Sequence, residues 1–215
     1  MVTEACLVLA STSRWRLRML EDAGLRCEAV APVVDESTVH GADPVATAHL
    51  RARAKAVDVA ARRPGRLVVG ADQVLWLPGE AEAIGKPPDD ERWRARLRQL
   101  RGREHQLTTA VALAGPEPGR VESFEETTGV RMRGDPSDAE LAAYVAHGEA
   151  RGCAGGYMVE GRGAWLVEAL RGDWSNVVGL PVLSLIGHLR ARGWRLGSDG
   201  LARPPGVELR DSGPA

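Results

Sequence analysis

The stretch Leu67-Val68-Val69-Gly70-Ala71-Asp72-Gln73-Val74-Leu75-Trp76 is a long β-type run whose apolar residues demand burial. A chain that carries it must build a sheet with covered faces around it. Gly70 and Asp72 interrupt the run. A carboxylate within a strand of this kind needs a cation, a metal or several hydrogen-bond donors. Carboxylates so placed are often a metal ligand or a general base. The plainer reading is a β-bulge at which Asp72 caps a turn.

Other elements follow from local signals. A short apolar strand from Cys6 to Ala10 precedes a helix from Arg14 to Ala23, which stops at Gly24. Cys27 to Val30 is a second short strand. Asp43 before Pro44 is an N-cap with proline at the first helical position, and that helix runs to Arg63. Asp89 or Asp90 caps a helix with Trp93, Leu97 and Leu100 at helical spacing, ended by Gly102. His105 to Ala114 and Val121 to Arg133 alternate as strands around a Gly/Pro turn. Ser137 and Glu140 form a capping box for a helix through Tyr144 and Val145. The glycine-rich stretch Gly152 to Gly163 leads into a strand from Trp165 to Leu170, and Pro181 opens a last helix to Arg192. Strands alternating with helices, then a hairpin, predict a mixed α/β sheet. The length fits one domain over residues 1–197, with 198–215 a flexible tail rich in Gly, Pro and polar groups.

Composition excludes several classes. A net charge of −1 supplies no basic field to draw the chain to polymeric nucleic acid or anionic lipid. No run of about 18 apolar residues is present, so no membrane span is predicted. The N-terminus is acidic where a signal peptide would be basic. Cys6, Cys27 and Cys153 lie far apart without paired spacing, which points to a reducing compartment and a cytoplasmic protein.

Of 28 basic residues only Lys55 and Lys86 are lysine, and Asn176 is the sole asparagine. Such bias drifts Lys toward Arg wherever either will do, so a surviving lysine marks a place where a compact ammonium is needed, such as beside phosphate oxygens. Chance survival is the alternative. Lys55 shares a helix face with Ala48, Ala52 and Val59, so its ammonium either snorkels to water or points into a cleft. Lys86 projects from Ile84-Gly85-Lys86-Pro87, or is an ordinary turn lysine. Ala10-Ser11-Thr12-Ser13-Arg14-Trp15-Arg16 joins a strand to a helix through hydroxyls, and suits a phosphate, although a plain Ser N-cap explains it too. Trp15 packs on the core or forms the lip of a pocket. Glu36, after Asp35, belongs to an acidic turn. Gly155-Gly156-Tyr157-Met158-Val159-Glu160-Gly161 could let backbone approach a ligand, with Glu160 reading a base edge, or be a simple glycine-rich turn.

Taken in order from Leu7 to Leu189, these segments resemble the Maf family of nucleoside triphosphate pyrophosphatases. The blocks are Leu-Ala-Ser-Thr-Ser-Arg-Trp-Arg, Asp35–Glu36, Ala-Lys-Ala, Gly-Ala-Asp-Gln-Val, Gly-Lys-Pro, His-Gln-Leu-Thr-Thr-Ala-Val, Gly148–Glu149, Ala-Gly-Gly-Tyr, Glu-Gly and Ser-Asn-Val-Val-Gly-Leu-Pro. The resemblance implies an elongated mixed β-sheet with flanking helices and a central cleft, akin to the inosine triphosphate pyrophosphatases. It implies a phosphate loop from Ser11 to Arg16, with Ser13 and Arg16 its main contacts. Asp72 matches the general base, and Glu36, Lys55 and Lys86 match residues needed for activity. Asp72 and Glu36 are the implied ligands of a divalent cofactor, Mg²⁺ or Mn²⁺. A homodimer is a further expectation.

Three positions bear on the base. The family's dTTP/UTP branch has Arg, Thr and Gln there, and the branch that cleaves 7-methyl-GTP has Trp, Gln and Glu. Trp15, Gln73 and Glu160 resemble the second branch, as does Cys153 before Ala154–Gly155. Arg14 departs from the family, where proline is usual. The match makes physical sense, because a methylated, cationic guanine stacked on tryptophan gains about 0.5–2 kcal/mol over its neutral form. A carboxylate accepts from guanine N1–H and N2–H₂. The expected activity is hydrolysis of 7-methyl-GTP to 7-methyl-GMP and pyrophosphate, removing modified nucleotides. The alternatives are dTTP/UTP pyrophosphatase activity, or a nucleotide-binding regulator linked to cell division.

Overall fold

The computed structural model describes residues 7–80, 83–117 and 119–206. Its strands are β1 Leu7–Ala10, β2 Cys27–Ala29, β3 Leu67–Trp76, β4 Glu104–Ala114, β5 Val121–Met132 and β6 Val167–Arg171. They form one mixed sheet in the order β2-β1-β3-β4-β5-β6. β1 runs parallel to both β2 and β3, and every later pairing is antiparallel. Flanking helices are α1 Arg14–Asp22, α2 Pro44–Arg62, α3 Asp90–Leu100, α4 Asp138–His147, α5 Trp174–Val178 and α6 Val182–Ala191.

Most helix starts are set by the expected caps. Ser13, Asp43 and Asp89 accept from the first-turn amides of α1, α2 and α3, and Ser137 with Glu140 completes a reciprocal capping box on α4. One expectation is corrected. Trp165 does not begin a strand. Arg162–Leu166 is a 3₁₀ turn, β6 starts at Val167, and Trp165 is 79% exposed. The cause is Gly163, where a Cβ would lie 2.5 Å from the Met158 carbonyl oxygen, so the chain folds tightly back on itself. Sequence reading also omitted α5, which Asp173 caps by accepting from the Ser175 amide at 2.7 Å. Cys6 and residues 207–215 of the expected tail lie outside the described residues. Of that tail, 198–206 carries β8 Ala202–Arg203, paired with β7 Arg195–Leu196 and bonded through the Ala202 amide to Gly24 O at 2.8 Å.

β3 and β4 each contribute to three apolar clusters. In β3, Leu67, Val69 and Ala71 face a cluster with Leu20 of α1 and Leu185 of α6, while Val68 and Val74 face Ala48, Ala52, Ala56 and Val59 of α2. Beyond the midpoint, Leu75 joins Leu107 of β4, Val130 of β5, Trp93 of α3 and Tyr144 of α4 in a third cluster. Asp72 and Gln73 sit at the changeover. The apolar run is interrupted between Ala71 of one cluster and Leu75 of another.

Candidate active site

Strand alternation places Asp72 on the same face as Val68, Gly70 and Val74, toward α2. Gly70 lets that helix come close. A Cβ there would lie 2.3 Å from Ala52 O and 2.7 Å from Ala56 N. With alanines on the facing side of α2, Lys55 reaches the strand, and Nζ lies 2.7 Å from Asp72 Oδ1 and 2.9 Å from Glu36 Oε1. Lys55 and Asp72 are each only 6% exposed. The cleft reading of Lys55 therefore holds, and the β-bulge reading of Asp72 does not: the β3–β4 register runs unbroken from Val68↔Ala114 to Trp76↔Gln106.

Glu36 is aimed by a short 3₁₀ turn, Glu36–Thr38. Asp35 caps that turn by accepting from the Ser37 amide at 3.0 Å, so the acidic pair divides into a structural cap and a site carboxylate. Burial alone would raise the pKa of Glu36. The hydrogen bond and charge of Lys55, with Lys86 and Arg51 nearby, hold it below the ordinary glutamate value.

A cavity of about 360 Å³ opens beside this triad. Its lining includes Ser11, Ser13, Trp15 and Arg16 from the loop and start of α1, together with Glu36, Lys55, Gln73, Lys86 and Glu160. Asp72 lies behind Lys55, bonded to it. Ser13 is the N-cap of α1 and Ser11 Oγ accepts from the Ser13 amide at 3.1 Å, so both hydroxyls shape the loop as well as facing the cavity. Arg16 is more structural than expected. Its Nε donates to Gly179 O at 2.9 Å and its Nη1 to Ala71 O at 2.8 Å, tying α1 to β3 and to the loop after α5. Burial lowers its pKa, against the raising effect of Asp72 and Glu36. Lys86 has no hydrogen-bond or ion-pair partner among the described residues and is exposed at the cavity edge.

Trp15 is 37% exposed, forming a lip, with the Arg14 guanidinium 5.1 Å from its ring centroid. Glu160 stays exposed at the cavity edge, and partial desolvation there, opposed by a backbone hydrogen bond and helped by the Glu149 carboxylate, raises its pKa. The glycines before it serve packing. A Cβ on Gly155 would meet the Tyr157 ring at 2.5 Å, and one on Gly156 would meet Trp93 Nε1 at 2.7 Å, so neighbouring side chains occupy the space expected for a ligand. Sequence reading missed Arg151, which lines the cavity, pairs with Asp90 at 2.8 Å and lies over the Trp93 ring. In so arginine-rich a chain nothing in the sequence singles it out.

No group of three His, Cys, Asp or Glu side chains converges among the described residues. Asp72 and Glu36 nonetheless meet at one cationic point, Lys55 Nζ. One or two carboxylates completed by phosphate and water is the usual donor set for Mg²⁺; here both carboxylates are engaged by the Lys55 ammonium, so a divalent ion would have to share them with it.

The sequence profile of Maf-like proteins matches residues 6–192, which spans every one of these side chains. The chain belongs to the Maf-like protein family. A family relative from Nitratidesulfovibrio vulgaris, named dTTP/UTP pyrophosphatase, is 42% identical over 87% of this chain and 88% of its own. One from Streptomyces coelicolor, named nucleoside triphosphate pyrophosphatase, is 43% identical over 82% of this chain and 85% of its own. Among solved structures, the Staphylococcus aureus Ham1 protein has a TM-score of 0.42 over 60% of this chain and 72% of its own, at 16% identity, too slight a likeness to carry an argument. No helix among the described residues is long and apolar enough to cross a membrane.

Proposed function

We propose that the cavity hydrolyses nucleoside triphosphates between the α and β phosphates, and that 7-methyl-GTP is its preferred substrate. The observation that carries the chemistry is the buried ammonium of Lys55 held between Asp72 and Glu36 at the cavity. The free N–H groups at the start of α1 take the triphosphate, with Lys86 and the remaining nitrogen of Arg16. Asp72, the base that the family resemblance implies, takes the proton of the attacking water, which must enter beside Lys55 to reach it because Asp72 lies behind that lysine. Water oxygen bonds to the α-phosphorus, the bond from that phosphorus to the bridging oxygen breaks, and pyrophosphate leaves with the electron pair. Lys55 and Lys86 stabilise the charge that develops on the phosphates. A divalent ion held by Asp72 and Glu36 would supply further charge neutralisation.

The base assignment rests on Trp15 at the lip and Glu160 at the cavity edge, an aromatic face that attracts a cationic purine more than a neutral base and a carboxylate that can take two donors from guanine against the single N3–H of a pyrimidine. A second reading, dTTP/UTP hydrolysis, is favoured by the name of the Nitratidesulfovibrio relative. Measuring kcat/KM for 7-methyl-GTP, GTP, dTTP and UTP, in wild type and Trp15→Ala, separates the two. The first reading expects 7-methyl-GTP to lead and Trp15→Ala to erase most of its advantage over GTP. Equal rates on GTP and its methylated form, or a lead for dTTP, would reject the assignment.

A further inference from the structure

Gln73 faces the cavity with an amide that has a fixed polarity. Its Nε2 donates to the backbone oxygen of Asn176 at 2.6 Å and to Thr109 Oγ1 at 3.1 Å. A backbone carbonyl only accepts, so the amide cannot be turned without setting two oxygens against each other. Both amide hydrogens are used, and among the described residues nothing donates to Gln73 Oε1. What Gln73 has left to offer a ligand is an acceptor.

The chain that holds this orientation runs away from the cavity into the core. Asn176 is fully buried, and its Nδ2 donates to Leu107 O and to Thr128 Oγ1, each at 3.0 Å. Leu107 O also only accepts, so the Asn176 amide is fixed in the same way. Thr128 is fully buried and its hydroxyl is saturated. It accepts from Asn176 Nδ2 and from the Asp173 amide, and donates to Asp173 O. One hydroxyl on β5 thus pins both the start of α5 and the residue whose carbonyl meets Gln73. The sole asparagine of the chain stands at the junction.

We propose that Thr128 and Asn176 are positioning residues that fix Gln73 as a hydrogen-bond acceptor toward the bound base, so that the site selects a base offering a donor there. The inference rests on the proposal that this cavity binds a nucleoside triphosphate. A residue that only supports the fold would change the active fraction equally for all substrates. A residue that sets base recognition changes the ratio between substrates sharing the same triphosphate.

The test is the ratio of kcat/KM for the best and a poorer nucleoside triphosphate, measured in wild type, Thr128→Ser, Thr128→Val and Gln73→Met. Thr128→Ser keeps the hydroxyl and should keep the ratio. Thr128→Val should lower it about tenfold, the scale of one misplaced polar contact, with the loss in KM rather than kcat. Gln73→Met should lower it by a similar factor, and adding Thr128→Val should lower it no further. An unchanged ratio in Thr128→Val, with both substrates slowed alike, would overturn the proposal. Should that variant fail to fold, Asn176→Asp, which keeps the shape and loses the two donors, is judged by the same ratio. If dTTP proves the best wild-type substrate, the purine assignment falls, and the ratio of dTTP to GTP tests the positioning role by the same rule.

Discussion

Replacing Lys55 by Met removes one charge and keeps most of the apolar stem. What it leaves is an unpaired Asp72 carboxylate whose side chain is 9% exposed and whose former partner stood at 2.7 Å. Breaking a buried pair by removing one member costs about 3–5 kcal/mol. Glu36 also loses its partner, but its side chain is 47% exposed and contributes no more than about 1 kcal/mol. Lys55→Met should therefore lose roughly 3–5 kcal/mol and Glu36→Gln less than about 1 kcal/mol. With a urea m-value of about 2–3 kcal/mol/M, the first moves the unfolding midpoint down by about 1–2.5 M. Adding Asp72→Asn to Lys55→Met removes the orphaned charge, so the double variant should be more stable than Lys55→Met alone by over about 1 kcal/mol. Neither variant should regain turnover, which separates the structural part of the pair from the chemical part. A Lys55→Met midpoint equal to wild type, or a double variant no more stable than the single, would refute the reasoning.

Asp72→Asn alone should lower kcat by about 10²-fold or more, the range for loss of a general base, while circular dichroism and nucleotide binding persist. Lys86→Arg should impair turnover, because a planar fork does not replace a compact ammonium at the phosphates. Being exposed, it should leave stability within about 0.5 kcal/mol, as urea unfolding would report. Glu160 titrates above the ordinary glutamate value of 4.5. As pH falls through that raised pKa the carboxylate gains a proton that faces the donors of guanine, so KM for 7-methyl-GTP should rise more than that for dTTP, which offers one donor instead of two, and Glu160→Gln should flatten the difference.

Asp72 was legible because a carboxylate in a burial-seeking strand conflicts with its surroundings, and only a partner resolves the conflict. Lys55 was legible as an oddity, yet spacing left two directions open. What decides between them is Gly70, whose missing side chain lets α2 settle on β3, and that is a tertiary fact. The caps of α2 and α4 were local and read correctly. The functions of Gly155 and Gly156 were not, since glycine signals close approach without naming what approaches, and here Tyr157 and Trp93 do. Arg16 shows the same limit. A guanidinium near a phosphate loop invites a ligand role, while two carbonyls from distant segments already occupy most of it. The Thr128–Asn176–Gln73 connection joins residues far apart in the chain, so no local pattern announces it.

The central claim is that water attacks the α-phosphorus in this cavity. Turnover of 7-methyl-GTP, or of whichever nucleoside triphosphate is cleaved fastest, in water enriched in ¹⁸O tests it most directly, with both products read by mass spectrometry. The account predicts one ¹⁸O in the nucleoside monophosphate, none in the pyrophosphate, and a rate lower by about 10²-fold or more in Asp72→Asn. Label in the pyrophosphate, or release of orthophosphate as the first product, would contradict it.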